Sequence, residues 1–292
     1  EYARSALKIG LSVEDQVGVN PYRVGMIGST DAHTGMASAA EDNFFGKLPR
    51  VEPSAGRATD IVVKFGDKAY MSADIAASGY AAVWATENTR EAIFDAMRRR
   101  ETYATTGPRM VVRLFAAWDF EPSDANTRRL AQTGYTRGVP MGGELKNAPA
   151  GKSPSFLVAA LKDPNGANLD RYQIVKGWLD SDGEVHEKVY DVVWSDQRIP
   201  DQKGHVPAVG NTVDVANATY DNSIGASELI GVWKDPDFDP TERAFYYGRV
   251  IEIPTPRWTA FDAKHFGLTL DESVPMTTRE RAYTSPIWYG PI

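Results

Sequence analysis

Beyond about Met110 the chain almost loses the three-to-four-residue apolar spacing of a helix, and this constrains its fold more than any other feature. Short apolar runs at 111–115, 156–161, 172–179, Val185–Trp194, 229–233 and 245–253 take its place. They are rich in β-branched and aromatic residues, alternate in places, and are separated by turn residues, as half-buried strands are. Leu179-Asp180-Ser181-Asp182-Gly183-Glu184-Val185 joins two of them as a hairpin. Residues 110–292 therefore read as an all-β, immunoglobulin-like sandwich with a Pro-rich, irregular tail from Ile253 onward.

The first 109 residues have a different texture. Ala6, Ile9, Val13 and Val17 predict an amphipathic helix over Tyr2–Val17, stopped by Gly18 and followed by an Asn20-Pro21 turn. Residues 24–28 suggest a buried strand, 34–60 a surface loop, and 81–85 a second strand. Asn88, with Glu91 three residues on, suggests the cap of a helix whose apolar face is Ala92, Ile93, Ala96 and Met97. The fold class expected is α+β, with residues 1–109 as one domain and 110–292 as another.

A formal charge of −7 and the lack of a basic stripe argue against a nucleic-acid partner. With no cysteine, disulfides, thiolate metal sites and a cysteine nucleophile are excluded. No apolar stretch nears the ~20 residues that span a bilayer. A helix that opens at once, with neither an initiator Met nor a signal-peptide pattern, reads as a piece of a longer polypeptide.

Chemistry concentrates in Gly25-Met-Ile-Gly-Ser-Thr-Asp31-Ala-His33. If the chain is extended there, Asp31 and His33 share a face, and both are divalent-metal ligands when deprotonated. Two ligands do not complete a site. Glu41 and Asp42 are near enough in sequence to fold back, but His186, His205 and His265 all lie in the β-rich part. The run Asp163-Pro-Asn165-Gly-Ala-Asn168-Leu-Asp170 lacks the spacing of an EF-hand and reads as a turn held by Asx hydrogen bonds. Trp178, Trp194, Trp233, Tyr246 and Tyr247 fall on strand-like runs, where packing is the usual role.

Gly28-Ser29-Thr30-Asp31-Ala32-His33 resembles the closing metal-ligand motif of the PHP (polymerase and histidinol phosphatase) superfamily. More specifically, the chain resembles the carboxyl-terminal part of the bacterial family called domain of unknown function number 3604. The matching stretches are Gly18-Val-Asn-Pro-Tyr22, Ile27 to His33, Glu41-Asp-Asn-Phe-Phe-Gly-Lys47, Val83-Trp-Ala-Thr-Glu-Asn-Thr-Arg90, Tyr103-Ala-Thr-Thr-Gly-Pro-Arg109, Asp163 to Asp170, and Ile253-Pro-Thr-Pro-Arg-Trp-Thr259.

The resemblance implies that residues 1–109 are the last βα elements of a PHP-type α/β barrel. It implies a metal-dependent hydrolase, in the superfamily a phosphoesterase, with zinc, manganese or iron in the intact protein. Asp31 and His33 would be its last two ligands. Glu41 would orient the His33 ring, and Arg109 would clamp a phosphate or pin the domain junction. The motifs that open a PHP site, His-x-His first among them, are missing, so an amino-terminal half of the same protein is implied as partner and the isolated chain is expected to be inactive. Two rivals remain: a non-enzymatic sandwich that binds a glycan or a protein, and a site completed by another subunit.

Overall fold

The computed structural model describes every residue except Glu1, Ala37, Ser78 and Ile292. Its centre is two antiparallel sheets packed face to face. The larger runs Val185–Trp194, Leu169–Leu179, Arg243–Glu252, Arg281–Thr284, Thr102–Thr105, Tyr80–Val83, each strand antiparallel to the next. Ile287–Tyr289 also pairs with Arg243–Glu252 and runs parallel to Glu144–Leu145. The smaller sheet runs Glu228–Lys234, Ser155–Leu161, Val111–Ala117, Val139–Pro140.

Leu114, Phe156 and Val158 from the smaller sheet meet Tyr172, Ile174, Tyr246 and Val250 from the larger in one core. The expected sandwich is present, within a mixed α+β chain. The 179–185 hairpin closes as the sequence predicts, with the Asp180 N–H donating to Glu184 O at 3.1 Å and Gly183 at φ +80°.

Helix α1, Tyr2–Val17, covers the outer face of the larger sheet, where Leu7 and Leu11 pack on Val175, Leu179, Phe245 and Tyr247. That lid explains why Leu169–Leu179 hardly alternates: one face fills the sandwich and the other lies under α1, so the strand is buried on both sides. The helix is where the periodicity puts it, but its buried face is not. Ile9 and Val17 are 52% and 67% exposed. Ile9 lies about half a turn, and Val17 about a quarter to a third of a turn, from Leu7 and Leu11, which stack at i and i+4.

Three other expectations are corrected locally. Helix α2, Arg90–Arg98, is capped by the Thr89 hydroxyl, which accepts from the Ala92 N–H at 3.4 Å, and not by Asn88. Residues 24–28 join no ladder. Val24 and Ile27 are exposed, and the segment is held at single points, by Met26 N–H to Ser285 Oγ at 2.9 Å and Gly28 N–H to Tyr80 O at 3.2 Å. The tail is more regular than its prolines suggest. Besides the short helix α3, Leu130–Arg137, the part beyond Met110 holds helix α4, Trp258–Phe266, which is followed by Arg281–Thr284 and Ile287–Tyr289, and both strands enter the larger sheet.

Strands from both sides of position 110 thus share one sheet, and the pair Tyr80–Val83 and Thr102–Thr105, joined through α2, is antiparallel. No helix among the described residues is long and apolar enough to cross a membrane.

Candidate functional site

The motif loop is laid against the edge of the larger sheet by glycine. A Cβ at Gly28 would sit 2.7 Å from both Tyr80 O and Thr105 O, so only a residue without a side chain lets the backbone approach that closely. Past this contact the chain turns. Ser29 Oγ accepts the Asp31 N–H at 3.2 Å, and Asp31 takes φ +50°, in the left-handed region. For a non-glycine residue that conformation costs about 1 kcal/mol, least for Asp and Asn.

The loop is then braced twice by one residue. The His33 N–H donates to Lys47 O at 2.8 Å, and Lys47 Nζ donates to Thr30 O at 2.9 Å. Burial lowers the Lys47 ammonium pKa, and the charges of Asp31 and Glu41 pull it the other way.

This turn brings His33 Nε2 to 3.4 Å from Asp31 Oδ1, with the two side chains 63% and 70% exposed. The expected meeting of carboxylate and imidazole occurs, but through a left-handed turn and not through alternation along a strand. As donors, one carboxylate and one imidazole suit zinc, manganese or iron. As a complete set they do not: among the described residues no group of three or more His, Cys, Asp or Glu could hold a metal ion. The other three histidines lie elsewhere. His186 pairs with Asp180 at 2.6 Å and stacks on Trp178, His205 sits in an exposed turn, and His265 ends α4.

Glu41 is engaged by backbone. Oε2 accepts the Trp258 N–H at 2.7 Å and Oε1 the Ala77 N–H at 3.3 Å. Because Trp258 opens α4 and Arg257 gives that helix no side-chain cap, Glu41 does the capping from far away in sequence, where a carboxylate also suits the helix dipole. Burial nevertheless pushes the Glu41 carboxyl above its usual range.

Arg57 ties the same loop down. It is 3% exposed and forms a bidentate pair with Asp262, Nε to Oδ2 at 2.5 Å and Nη2 to Oδ1 at 2.8 Å. A half-enclosed cavity of about 920 Å³ opens directly after the motif, lined by Gly35, Met36, Glu41, Phe44, Arg57 and His265 among others.

Arg109 is exposed on the same sheet edge as the motif. Its guanidinium lies 5.7 Å from the centroid of the Tyr80 ring, and Tyr80 is the residue whose carbonyl holds Gly28. The Arg109 N–H donates to Asp163 Oδ2 at 2.6 Å, and Asp163 Oδ1 accepts the Asn165 N–H at 2.9 Å, the Asx turn read from the sequence. Tyr246 and Tyr247 are buried, whereas Trp178, Trp194 and Trp233 are half-buried, Trp194 donating to Arg198 O and Trp233 packing on Phe156 and Tyr190.

Sequence reasoning passed over Lys47 and Arg57. Lys47 sits inside a stretch already marked by the family resemblance, so a signal existed. Arg57 had none, since its partner Asp262 is 205 positions away.

No curated protein and no solved structure matches the chain. A family match does cover residues 1–291. The chain belongs to the family described as protein of unknown function (DUF3604).

Proposed function

We propose that this chain carries the closing ligand pair of a divalent-metal hydrolase centre, acting on phosphoesters, whose other ligands lie on polypeptide preceding it in the same protein. The observation that carries the reading is the apposition of Asp31 and His33 at 3.4 Å on an exposed loop that is strained at Asp31 and braced by Lys47. Backbone strain held in place by surrounding structure is characteristic of functional sites. The PHP link rests on the motif and on that geometry alone; the strands beside the motif pair antiparallel and lend a parallel βα barrel no support.

The surroundings favour completion by more protein. Val24, Ile27 and Met36, on the segment that carries the motif, are exposed apolar side chains, which a protein partner would cover. Asp31 would supply a carboxylate oxygen and His33 a ring nitrogen, while Lys47 holds the loop that presents them. Arg109, exposed on the same edge, would meet an anionic substrate group. The rival reading, a glycan-binding sandwich, has little support from the aromatics of the sandwich strands: none of the five forms an exposed platform.

Metal content and hydrolysis test this together. Elemental mass spectrometry of the 292-residue chain should find no stoichiometric zinc, manganese or iron. A longer protein that includes the preceding residues should bind metal and hydrolyse bis(p-nitrophenyl) phosphate, and should lose both on His33→Ala. Metal-dependent turnover by the longer protein that survives both Asp31→Ala and His33→Ala would overturn the proposal.

A further inference from the structure

A second cavity, of about 300 Å³, lies between the loop at 39–42, the Gly107-Pro108 turn, the Asp163–Ala167 turn and the strand end at Glu252. It is distinct from the motif, none of whose ligands line it. Acidic side chains dominate its polar lining: Glu41, Asp42, Asp163, Glu252 and Glu280, with Tyr220 and Phe261 as aromatic walls.

Acidity alone would mean little, but Glu252 adds a separate observation. Its side chain is buried, at 1% exposure, and Oε1 has no hydrogen-bond partner. Leaving such an atom bare is expensive, and native structures seldom do so without a ligand or other reason. Among the described residues no ion pair reaches Glu252 or Glu280. The nearest ammonium, Lys162 Nζ, is turned onto the carbonyls of Asp163 and Gly166 at 3.0 and 2.9 Å. Gly166 packs beside Oε1, since a Cβ there would stand 3.6 Å from it and 2.9 Å from the Asp163 Cβ, so this side of the carboxyl is closed by the turn.

Glu280 lies on the adjacent chain, where its carbonyl accepts the Glu252 N–H at 3.0 Å, and its Oε2 accepts the Thr106 hydroxyl. Burial pushes the Glu252 carboxyl well above its usual range, with Glu280 and Asp163 adding to it and the Lys162 charge and the Ala167 N–H opposing. Burial likewise pushes Glu280 up to about 7, with the Glu41 charge adding and Arg281 and Arg257 opposing. Two carboxyls held this way accept a cation readily, because it relieves both burial and mutual repulsion.

A bare metal ion fits poorly. The carboxylates do not converge as a set of three or more, and the cavity is about ten times the ~30 Å³ share of one water. It sits at the lower bound of small-molecule pockets, and aromatic walls favour an organic cation over a hydrated metal. We propose that this cavity binds a small organic cation through a primary ammonium group, which donates to Glu252 Oε1 and is flanked by Glu280 and Tyr220.

Differential scanning fluorimetry and calorimetry of the full chain with 1,4-diaminobutane, 2-aminoethanol and, separately, calcium test this. A diamine or amino alcohol should bind below 1 mM and raise Tm, with affinity rising up to about tenfold per pH unit as the pH is raised toward 7, because a carboxyl must lose its proton to bind. Glu252→Gln should abolish the amine-induced shift while leaving the free chain folded and no less stable, since it removes a buried unpaired carboxyl. Glu280→Gln should weaken binding at least tenfold. No binding of either amine at 10 mM, an equal shift in wild type and Glu252→Gln, or stabilisation by calcium but by neither amine would each overturn the proposal.

Discussion

Arg57 offers the sharpest test of how the site region is held. Its bidentate pair with Asp262 is buried at both ends, with Arg57 3% and Asp262 7% exposed. Its Nη1 also donates to Phe44 O at 2.9 Å and Phe45 O at 3.1 Å, and its guanidinium lies 4.5 Å from the Trp258 ring centroid. Arg57→Met keeps much of the volume but leaves Asp262 charged and unpaired and two carbonyls without their donor. Breaking one side of such a pair costs about 3–5 kcal/mol. The segment it ties down is local, so native-state hydrogen exchange is the suitable assay. Amides of 41–57 and of α4 should lose protection by roughly two to three and a half decades, at 1.4 kcal/mol per decade. Adding Asp262→Leu should restore most of the loss, because an apolar pair of similar size replaces a buried ion pair at little cost. A loss under tenfold in R57M, or no recovery in the double variant, would refute the view that this pair anchors the loop to the helix.

Two further outcomes can be checked. Glu280 has a folded pKa of about 7 against an ordinary 4.5, so between those values the folded chain keeps a proton that the unfolded chain gives up. Its stabilising contribution, about 3 kcal/mol, is full below pH 4.5 and is lost as pH rises through 7. Urea titrations should show that fall in wild type relative to Glu280→Gln, and a constant difference between pH 4.5 and 8 would contradict it. Gly28→Ala would drive a methyl into two sheet-edge carbonyls 2.7 Å away and should cost about 1–3 kcal/mol. It should also weaken metal binding by the longer protein; a loss within 0.5 kcal/mol would mean the loop is not held against the sheet as described.

The sequence by itself determined whatever depends on near neighbours. The loss of helical spacing after Met110 determined the sandwich, Asp-Ser-Asp-Gly the hairpin at 180–183, and Asp163 its Asx turn, because each is a backbone preference settled within a few residues. That Asp31 and His33 come together was legible from their two-residue spacing, but the left-handed turn at Asp31 that brings them together was not.

Tertiary structure decided what depends on distant partners. Which face of α1 is buried depends on Val175 and Phe245, so Leu7 and Leu11 are covered and Ile9 is not. Glu41 caps a helix that begins 217 positions away, and Arg57 meets Asp262 across 205. The unpartnered oxygen of Glu252 exists only because the turn at 163–167 and the strand end at 252 close around it. Burial and charge pairing are set by the sum of long-range contacts, and a linear pattern carries no record of which contacts will form.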